Sequence, residues 1–477
     1  MSKTARLEPE IIRVGVVIVL GAIMSILDTT IVAVALRTLS HDFRVDVSTI
    51  QWVTTGYLLA LAVVIPVSGW AIHRIGAKPV YMISLGFFIT GSAMSGLAWS
   101  ATSLILFRVF QGLGGGMILP VGQSILARTA GPQRMGQVMG IIGVPQLLGP
   151  ILGPVIGGVI ISNTSWRWIF FVNVPLIALI VALTPVVITE SRAPTTGGRF
   201  DLAGPVLATS GLLALVLGII RTDALGWGSS EVVGLLLAAL GLLLAFVVVE
   251  SRRRHPMLPL PLFRSRALSL GNVMLALNGG TILAVFYLNT TYLQLVRHES
   301  AFGAGMSFLP MGIGAIIGAV VAGQIVTRVG TRPVQLAGAI LTALGLAWSL
   351  RVGVTSSYPS TLLVSFLLFG VGITSLGVPT QVGAVAHVDH HNAGVSSGLL
   401  NASYQIGGAI GLATLTTLTT SRVVHLLGAG EAPTHALAGG YHLGVMLALG
   451  LAVANGVVAL LSPSVTPTAE MIRSMGA

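Results

Sequence analysis

The sequence predicts an all-α polytopic membrane bundle with about fourteen transmembrane helices, arranged as two repeated six-helix halves with two helices inserted between them. Three observations predict this architecture. Hydrophobic residues make up 54% of the 477 positions and charged residues only 8%, which leaves too little polar surface for a water-soluble protein of this length. Long apolar stretches recur along the chain, and a short polar motif occurs twice at a fixed separation.

The predicted spans are apolar windows of about 20 residues, the length that a helix needs to cross the hydrocarbon core. Their approximate ranges are 14–36, 48–72, 79–99, 102–127, 136–161, 167–188, 203–221, 232–250, 268–293, 304–326, 334–352, 360–384, 394–420 and 440–462. We divide the chain into an N-terminal half (1–190), an inserted helix pair with its linkers (191–266) and a C-terminal half (267–477). An even insertion keeps both halves in the same orientation, as a parallel repeat requires. The inserted pair is expected to be peripheral, because the repeat is complete without it.

The internal repeat depends on two sets of residues. The first set reappears 254 positions later: Gly69, Arg74, Gly76, Lys78 and Pro79 as Gly323, Arg328, Gly330, Arg332 and Pro333. The second set reappears 258 positions later: Gly136, Gly140, Gly149 and Gly153 as Gly394, Gly398, Gly407 and Gly411. Repeats in a hydrophobic polytopic chain are typical of transporters in which one half moves against the other.

The net charge of +11 reflects membrane topology. Most of the 25 Lys and Arg residues lie on the predicted side that also holds the N-terminus, so the positive-inside rule places both termini in the cytoplasm. We therefore expect contact with anionic lipid and no binding to nucleic acid. The first apolar stretch is too long for a signal peptide and contains Asp28, so we interpret it as a retained helix.

Two charged residues, Asp28 and Arg108, lie well inside the predicted core spans. Charges at such depth are costly and usually functional. Counted at 1.5 Å per residue, both lie roughly 9–12 Å below the outer surface, so their side chains can reach each other. A functional charge pair and a static ion pair that fixes helix register both remain open.

The fifth predicted span is rich in glycine and proline, at Gly149, Pro150, Gly153, Pro154, Gly157 and Gly158. Glycines spaced four residues apart let another helix backbone approach closely, and prolines bend the helix. A similar stripe in the tenth span, Gly314, Gly318 and Ala322, predicts a contact between the two halves. Two roles for this glycine-proline run are equally open: helix packing alone, or gating.

Polar side chains at helical spacing predict faces that point into the bundle interior or a wet cavity. We assign these residues to a substrate cavity: Gln51, Thr55, Gln111, Gln146, Asn278, Asn289, Tyr292, Asn401 and Tyr404. For any single asparagine or tyrosine, a hydrogen bond between helices is the alternative.

Features of metal, redox and ATP chemistry are missing from the sequence. The loop with His387, Asp389, His390 and His391 crowds its ligand-type side chains too closely for a preorganised metal site. Cysteine is absent, and no phosphate-binding loop precedes a helix. We expect no metal, no cofactor and no ATP-driven motor in the chain.

Five ordered motifs resemble the major facilitator superfamily, and more closely its fourteen-span drug:proton antiporters of the EmrB/QacA type. The resemblance covers nearly the whole chain. The motifs are Leu27-Asp28-Thr29-Thr30-Ile31-Val32, the Gly69–Pro79 loop, Arg108-Val109-Phe110-Gln111-Gly112, the Gly149–Gly158 run and Trp166-Arg167-Trp168-Ile169-Phe170-Phe171-Val172-Asn173-Val174-Pro175.

This resemblance implies roles for several residues. It implies proton coupling by Asp28 and Arg108, conformational exchange at the glycine-proline run, and a cytoplasmic latch at Gly69, His73, Arg74, Gly76 and Lys78. The chain departs from the family pattern at His73, where the latch usually has an acid. It also has Ala33 and Arg37 where the first-span motif usually has Asn and Pro.

The expected function is proton-coupled antiport that exports lipophilic or cationic small molecules across the cytoplasmic (inner) membrane, that is, multidrug efflux. The expected partners are the substrate, protons and membrane lipid, and a periplasmic or envelope adaptor is left open. One alternative is an exporter of an endogenous lipid or secreted metabolite, and another is a membrane sensor without transport. An enzyme is disfavoured, because no nucleophile-base or metal constellation lies within the spans.

Overall fold

The chain is built from helices joined by short connections. A computed structural model describes residues 9–130, 152–153, 155–189, 203–253, 260–386 and 393–465, and these residues contain no β-strand. The first half consists of α1 (Pro9–Phe43), α2 (Val47–Ile75), α3 (Ala77–Gly96), α4 (Ala101–Ala130), α5 (155–163), α6 (Trp168–Phe171) and α7 (Asn173–Val187). The inserted pair is α8 (Ala203–Leu225) and α9 (Ser230–Ser251).

The second half repeats this pattern. Its helices are α10 (Arg266–Thr291), α11 (Ala301–Ser307), α12 (Leu309–Val329), α13 (Thr331–Ser349), α14 (Val364–Val385), α15 (Ala393–Gly428) and α16 (Pro433–Leu461). A 3₁₀ turn, Leu260–Arg264, precedes α10. One π-helical turn, Tyr292–Val296, continues α10, and another, Pro359–Leu363, leads into α14.

Nine segments of the described chain are long and apolar enough to cross a membrane, judged by length and composition. The all-helical polytopic prediction is therefore confirmed, whereas the count of fourteen spans is not. Four long helices at predicted spans, α2, α3, α13 and α15, are not among the nine. In α2, the stretch Trp52–Leu61 is found as a shorter apolar helix, and in the other three, polar residues and glycine lower the apolar character. The predicted boundaries at 190 and 266 stay predictions.

The repeated polar motif forms the same turn in both halves. Gly76, between α2 and α3, has φ 96° and ψ 159°, and Gly330, between α12 and α13, has φ 85° and ψ 173°. The Gly76 amide donates to the Ile72 carbonyl, and the Gly330 amide donates to the Val326 carbonyl. This backbone region is essentially restricted to glycine. The repeat seen in the sequence is thus also a repeat of backbone geometry.

Alanine at either turn is expected to destabilise the protein. Gly76→Ala and Gly330→Ala each should lower the free energy of unfolding by about 1–3 kcal/mol, because a Cβ is strained at this φ and ψ. Gly323→Ala is the matched control: a Cβ there meets nothing within 4 Å, and helical alanine is more stable than glycine. Thermal unfolding of the purified variants in detergent measures the difference, and equal midpoints for all three would contradict the prediction.

Helix packing follows the same repeat. A Cβ on Gly112 of α4 would lie 2.6 Å from the Tyr57 carbonyl oxygen of α2, and a Cβ on Gly370 of α14 would overlap the Met311 carbonyl of α12. Gly370 and Met311 are the repeat counterparts of Gly112 and Tyr57, at the offsets found in the sequence. The two halves therefore use the same close backbone contacts.

The glycine face of α5, which here means Gly157 and Gly158 of α5 together with Gly153 just before it, packs against α1 of its own half. A Cβ on Gly157 would lie 2.7 Å from Ile31 Cγ1 and 3.1 Å from the Ile31 carbonyl oxygen, and a Cβ on Gly153 would overlap the Thr30 hydroxyl. Gly158 is also buried. Gly149, Pro150 and Pro154 lie outside the described residues.

The predicted contact between the fifth and tenth spans is wrong for the glycines that the structure describes. A Cβ on Gly314 would lie 2.5 Å from the Leu367 carbonyl oxygen, and one on Gly318 would overlap the Val371 carbonyl. Both neighbours belong to α14, in the same half as α12. Small-residue spacing predicts a close approach, but it contains no information on which helix approaches.

The inserted pair lies beside the seam between the halves. α8 packs against both α2 and α15, and Leu59, Val216, Ile219 and Ala413 form one buried cluster there. The Thr209 hydroxyl donates to the Val63 carbonyl oxygen at 2.8 Å. α9 covers α8 and leaves most of its own apolar surface exposed. The predicted peripheral place of the pair stays a prediction, and the bridging position of α8 was not predicted.

Candidate functional site

Asp28 and Arg108 form a buried ion pair between α1 and α4. Both side chains are 0% exposed, and Arg108 Nη1 donates to Asp28 Oδ2. Gln111 Nε2 donates to Asp28 Oδ1 at 3.0 Å, and Asn173 Nδ2 donates to the same oxygen at 2.9 Å. The prediction that the two charges can reach each other is confirmed. The carboxylate thus accepts hydrogen bonds from three side chains.

The guanidinium of Arg108 is held from several directions. It lies 3.8 Å above the Tyr57 ring centroid, and Nη1 also donates to Gln111 Oε1 at 2.8 Å. Nε donates to the Val53 carbonyl oxygen at 3.3 Å. Nη2 is buried without a hydrogen-bond partner among the described residues. A buried charge is costly unless it is paired. The Asp28 carboxylate and the aromatic ring of Tyr57 therefore offset the cost of burying the Arg108 guanidinium.

The sequence interpretation missed two members of this cluster. Asn173, the first residue of α7, also donates to Ser92 Oγ at 3.0 Å, and Tyr57 of α2 is fully buried. Asn173 belongs to a motif that we used only for the family resemblance. An asparagine in an otherwise apolar stretch was an available signal.

The cluster has no counterpart in the second half. At the repeat offsets, Arg108 corresponds to Phe366 and Asp28 to Ile282. Phe366 is buried and stacks on Phe308, with ring centroids 5.3 Å apart. The two halves share the same backbone arrangement. Within the described residues, however, the first half alone has a buried charge pair at this position.

A cavity lies between the two halves, next to the Asp28 cluster. Its volume, counted as the space open to the centre of a water-sized sphere, is about 30 Å³. Its described walls come from α1, α2, α10 and α15, with the residues Thr29, Thr30, Leu36, Thr54, Thr55, Leu58, Leu283, Phe286, Tyr287, Thr290, Leu412 and Thr416. The predicted cavity residue Thr55 is among them. α8 and α9 contribute none of these residues.

Three other predicted cavity residues are not among this described lining, and their assignment to a substrate cavity stays a prediction. Asn278 Nδ2 donates to the Ile373 carbonyl oxygen at 3.2 Å, and Asn289 Oδ1 accepts from the Tyr441 hydroxyl at 3.1 Å. The Tyr292 hydroxyl donates to the Gly353 carbonyl oxygen at 2.7 Å. These are hydrogen bonds inside the second half. A polar helix face predicts a polar neighbour, and here that neighbour is another helix.

The remaining predicted cavity residues are also not in the described lining. Gln111 belongs to the Asp28 cluster. Asn401 is buried, and Tyr404 packs against an apolar cluster within the second half. Gln146 and the side chain of Gln51 lie outside the described residues.

The predicted latch is described only in part. Lys78 Nζ donates to the Pro185 carbonyl oxygen at 2.9 Å, which joins the start of α3 to the end of α7, and Arg74 is exposed. The surroundings of Gly69 and the side chain of His73 are not described, so their implied part in the latch stays a prediction. The loop with His387, Asp389, His390 and His391 lies outside the described residues. In the described chain, no group of three or more acidic or histidine side chains could hold a metal ion.

A polar clasp joins the halves at the end of the bundle that carries the α1–α2 turn. Arg37 Nη1 of α1 donates to the Gln294 carbonyl oxygen at 2.7 Å, and Gln294 Nε2 donates to the Val34 carbonyl oxygen at 3.0 Å. Gln294 lies in the π-helical turn that follows α10, and such turns are frequent at functional sites. The family motif usually has proline at the position of Arg37, and proline has no side-chain donor that could form this hydrogen bond. Leu36, which precedes Arg37 in α1, lines the cavity.

Loss of the clasp is expected to favour opening at this end. Arg37→Ala should shift the equilibrium by about 1 kcal/mol, roughly fivefold, because it removes a charged hydrogen bond that is partly screened by solvent. Spin labels at His41→Cys and Glu431→Cys report the separation of the halves, and the cysteine-free chain makes such labelling specific. Arg422→Ala, at an exposed arginine of α15, is the control. An unchanged distance distribution for Arg37→Ala would contradict the prediction.

Comparison with known proteins agrees with this architecture. Residues 18–412 match the Major Facilitator Superfamily. A "Multidrug resistance protein B homolog" of Mycobacterium tuberculosis is 36% identical over 88% of this chain and 78% of its own length. The "Tetracenomycin C resistance and export protein" of Streptomyces glaucescens is 34% identical over 85% of this chain and 75% of its own length.

A solved structure shares the fold. An auto-inhibited peptide transporter of the POT family matches with a TM-score of 0.68 at 14% identity, over 95% of this chain and 98% of that one. At this identity, the match shows the fold alone. The family match extends over most of the chain and the two relatives are 34% and 36% identical, so this chain belongs to the Major Facilitator Superfamily of membrane transporters.

Proposed function

We propose that this transporter is a proton-driven exporter of lipophilic small molecules, of the EmrB/QacA type, with fourteen spans and both termini in the cytoplasm. The observation that carries the proposal is the buried Asp28–Arg108 pair beside the cavity between the halves. Protonation of Asp28 removes the negative charge that balances Arg108. The buried guanidinium then favours a different arrangement of its neighbours, which is the requirement for a two-state switch.

Helix α1 links the acid to the cavity. Asp28 is followed directly by Thr29 and Thr30, which line the cavity. Thr30 and Ile31 contact the glycine face of α5, and Arg37 forms the clasp with the second half. A movement of α1 on protonation therefore changes the cavity wall, a close helix contact and the closure of one end together.

Proton flux in proteoliposomes tests the function. Full-length protein is reconstituted, a proton gradient is imposed, and a panel of lipophilic cations, neutral compounds and lipids is added. We expect uphill substrate movement coupled to proton movement in the opposite direction, and no uphill movement after a protonophore collapses the gradient. Substrate movement that is independent of the gradient would contradict proton coupling.

A narrower candidate is the export of one secreted metabolite, with drugs as incidental substrates. A relative named for resistance to and export of tetracenomycin C favours it. The same proteoliposomes distinguish the two candidates. Saturable transport of one compound that unrelated lipophilic drugs do not inhibit supports the narrow exporter, whereas mutual inhibition across the panel supports multidrug efflux.

A further inference from the structure

We infer that Asn173 is a positioning residue through which the charge of Asp28 controls the contact between α7 and Lys78 at the predicted latch. This role rests on the proton coupling proposed above, because its input is a change in the charge of Asp28. Asn173 begins α7 and bonds to the acid, and the far end of α7 bonds to Lys78. The helix therefore connects two sites that no single side chain spans.

One face of α7 attaches the helix to the rest of the first half. Its buried residues are Asn173, Ile177, Ile180 and Thr184, which share a face at helical spacing. The two isoleucines belong to an apolar cluster that includes residues of α1, α3 and α4. The Thr184 hydroxyl donates to the Ile180 carbonyl oxygen of its own helix at 2.7 Å. Of these four described residues, Asn173 alone donates hydrogen bonds to other helices.

The opposite face of α7 is exposed. It carries Leu176, Leu179 and Val186, and in a chain that spans a membrane such apolar residues face lipid. α7 packs against α1 and α3, so only its attached face must repack when it shifts along these helices. Small translations of packed helices of this kind are a common switching movement.

Both hydrogens of the Asn173 amide are used. Nδ2 donates to Asp28 Oδ1 at 2.9 Å and to Ser92 Oγ of α3 at 3.0 Å. The Ser92 hydroxyl in turn donates to the Phe170 carbonyl oxygen at 2.9 Å. Asn173 and Ser92 are 3% and 0% exposed, so water hardly competes for these bonds. Of the two bonds that the amide donates, only the one to Asp28 depends on a charge.

Protonation of Asp28 weakens the bond from Asn173. A hydrogen bond to an ionised acceptor is roughly twice as strong as one between neutral groups. The other titratable side chains of the cluster are Arg108 of α4 and Tyr57 of α2, and the described hydrogen bonds from α3 and α7 come from neutral groups. Neutralisation of Asp28 therefore loosens the attachment of α7 to α1 at the first residue of α7.

The far end of α7 contacts the predicted latch. Pro185 lies 12 residues after Asn173, about 18 Å along the helix axis at 1.5 Å per residue. Its carbonyl oxygen accepts from Lys78 Nζ at 2.9 Å. A shift of α7 by roughly 1–2 Å, the usual size of such helix movements, moves this oxygen out of hydrogen-bonding distance of the present Nζ position. Release of Asn173 by Asp28 is therefore expected to free Lys78.

Chemical labelling of Lys78 tests this connection. Full-length protein in lipid nanodiscs is acetylated briefly with an N-hydroxysuccinimide ester at one fixed pH. Peptide mass spectrometry then gives the modified fraction of Lys78 relative to free Nα-acetyl-lysine in the same sample. Asp28→Asn represents the protonated acid, because its amide is neutral and has the same shape. We expect Asp28→Asn and Asn173→Ala each to raise the labelling about threefold, since one partly exposed hydrogen bond is lost, and the double variant to raise it no further.

The matched control is Asn455→Ala in the second half. Asn455 is 2% exposed and donates to the Met274 carbonyl oxygen of α10 at 3.0 Å, so its loss also removes a buried bond between helices. It should leave the labelling of Lys78 unchanged. Asn173→Leu keeps most of the volume without the donors and should match Asn173→Ala, which covers the case that the smaller residue disturbs folding.

Three results would overturn the inference: unchanged labelling in both Asn173 variants, additive effects in the double variant, or an equal rise in Asn455→Ala. Transport in proteoliposomes separates it from the exporter proposal, because labelling needs neither substrate nor gradient. Non-additive labelling in a protein without proton-driven transport leaves the connection between Asp28 and Lys78 and removes the exporter. Proton-driven transport with labelling that does not respond to Asn173→Ala or Asn173→Leu does the reverse.

Discussion

Replacing Asp28 with asparagine is expected to abolish gradient-driven transport and to lower the free energy of unfolding by about 3–5 kcal/mol. The amide keeps the shape of the side chain but cannot exchange a proton. It also leaves Arg108 buried without a counter-ion, and removal of one partner of a buried ion pair typically has this cost. Efflux from proteoliposomes and thermal unfolding in detergent measure the two effects.

A double variant separates the loss of transport from the loss of stability. Asp28→Asn combined with Arg108→Met removes both charges and keeps a long apolar side chain beneath the Tyr57 ring. Since neutral replacements of buried pairs are often tolerated, we expect most of the stability to return while proton-driven transport stays absent. The proposed role of Asp28 is refuted if the single Asp28→Asn variant retains pH-gradient-dependent efflux at the wild-type rate.

Bulky residues on the glycine face of α5 are expected to arrest transport. In Gly157→Leu, the new Cβ would lie 2.7 Å from Ile31 Cγ1 and 3.1 Å from the Ile31 carbonyl oxygen, so α1 and α5 must move apart. Such overpacking costs about 1–3 kcal/mol. Because α1 also carries Asp28 and part of the cavity wall, we expect a fall in transport rate of about tenfold or more. Gly153→Leu, against Thr30, should act in the same way.

The matched control is Gly241→Leu on α9. A Cβ at Gly241 meets nothing within 4 Å, so this change adds the same volume on an exposed helix without disturbing a contact. We expect Gly241→Leu to transport at nearly the wild-type rate. Distances between spin labels on the two halves, measured with and without substrate, complete the test, and normal alternation in Gly157→Leu would count against the packing argument.

Several features were determined by the sequence alone. Its apolar composition places the chain in a membrane because charged and polar groups are costly in hydrocarbon. The duplicated motif predicted the twin turns at Gly76 and Gly330, since glycine is the residue that adopts this backbone conformation without strain. Asp28 and Arg108 stood out because isolated charges at that depth need a partner.

Contacts between distant parts of the chain were decided only by the tertiary structure. Helical periodicity shows which residues share a face, but not which helix covers it. It therefore did not predict that Gly157 contacts α1, that Asn278 and Asn289 bond within the second half, or that Asn173 reaches Asp28. The Arg37–Gln294 clasp joins residues from different halves, and the π-helical turn that positions Gln294 is not visible in local composition.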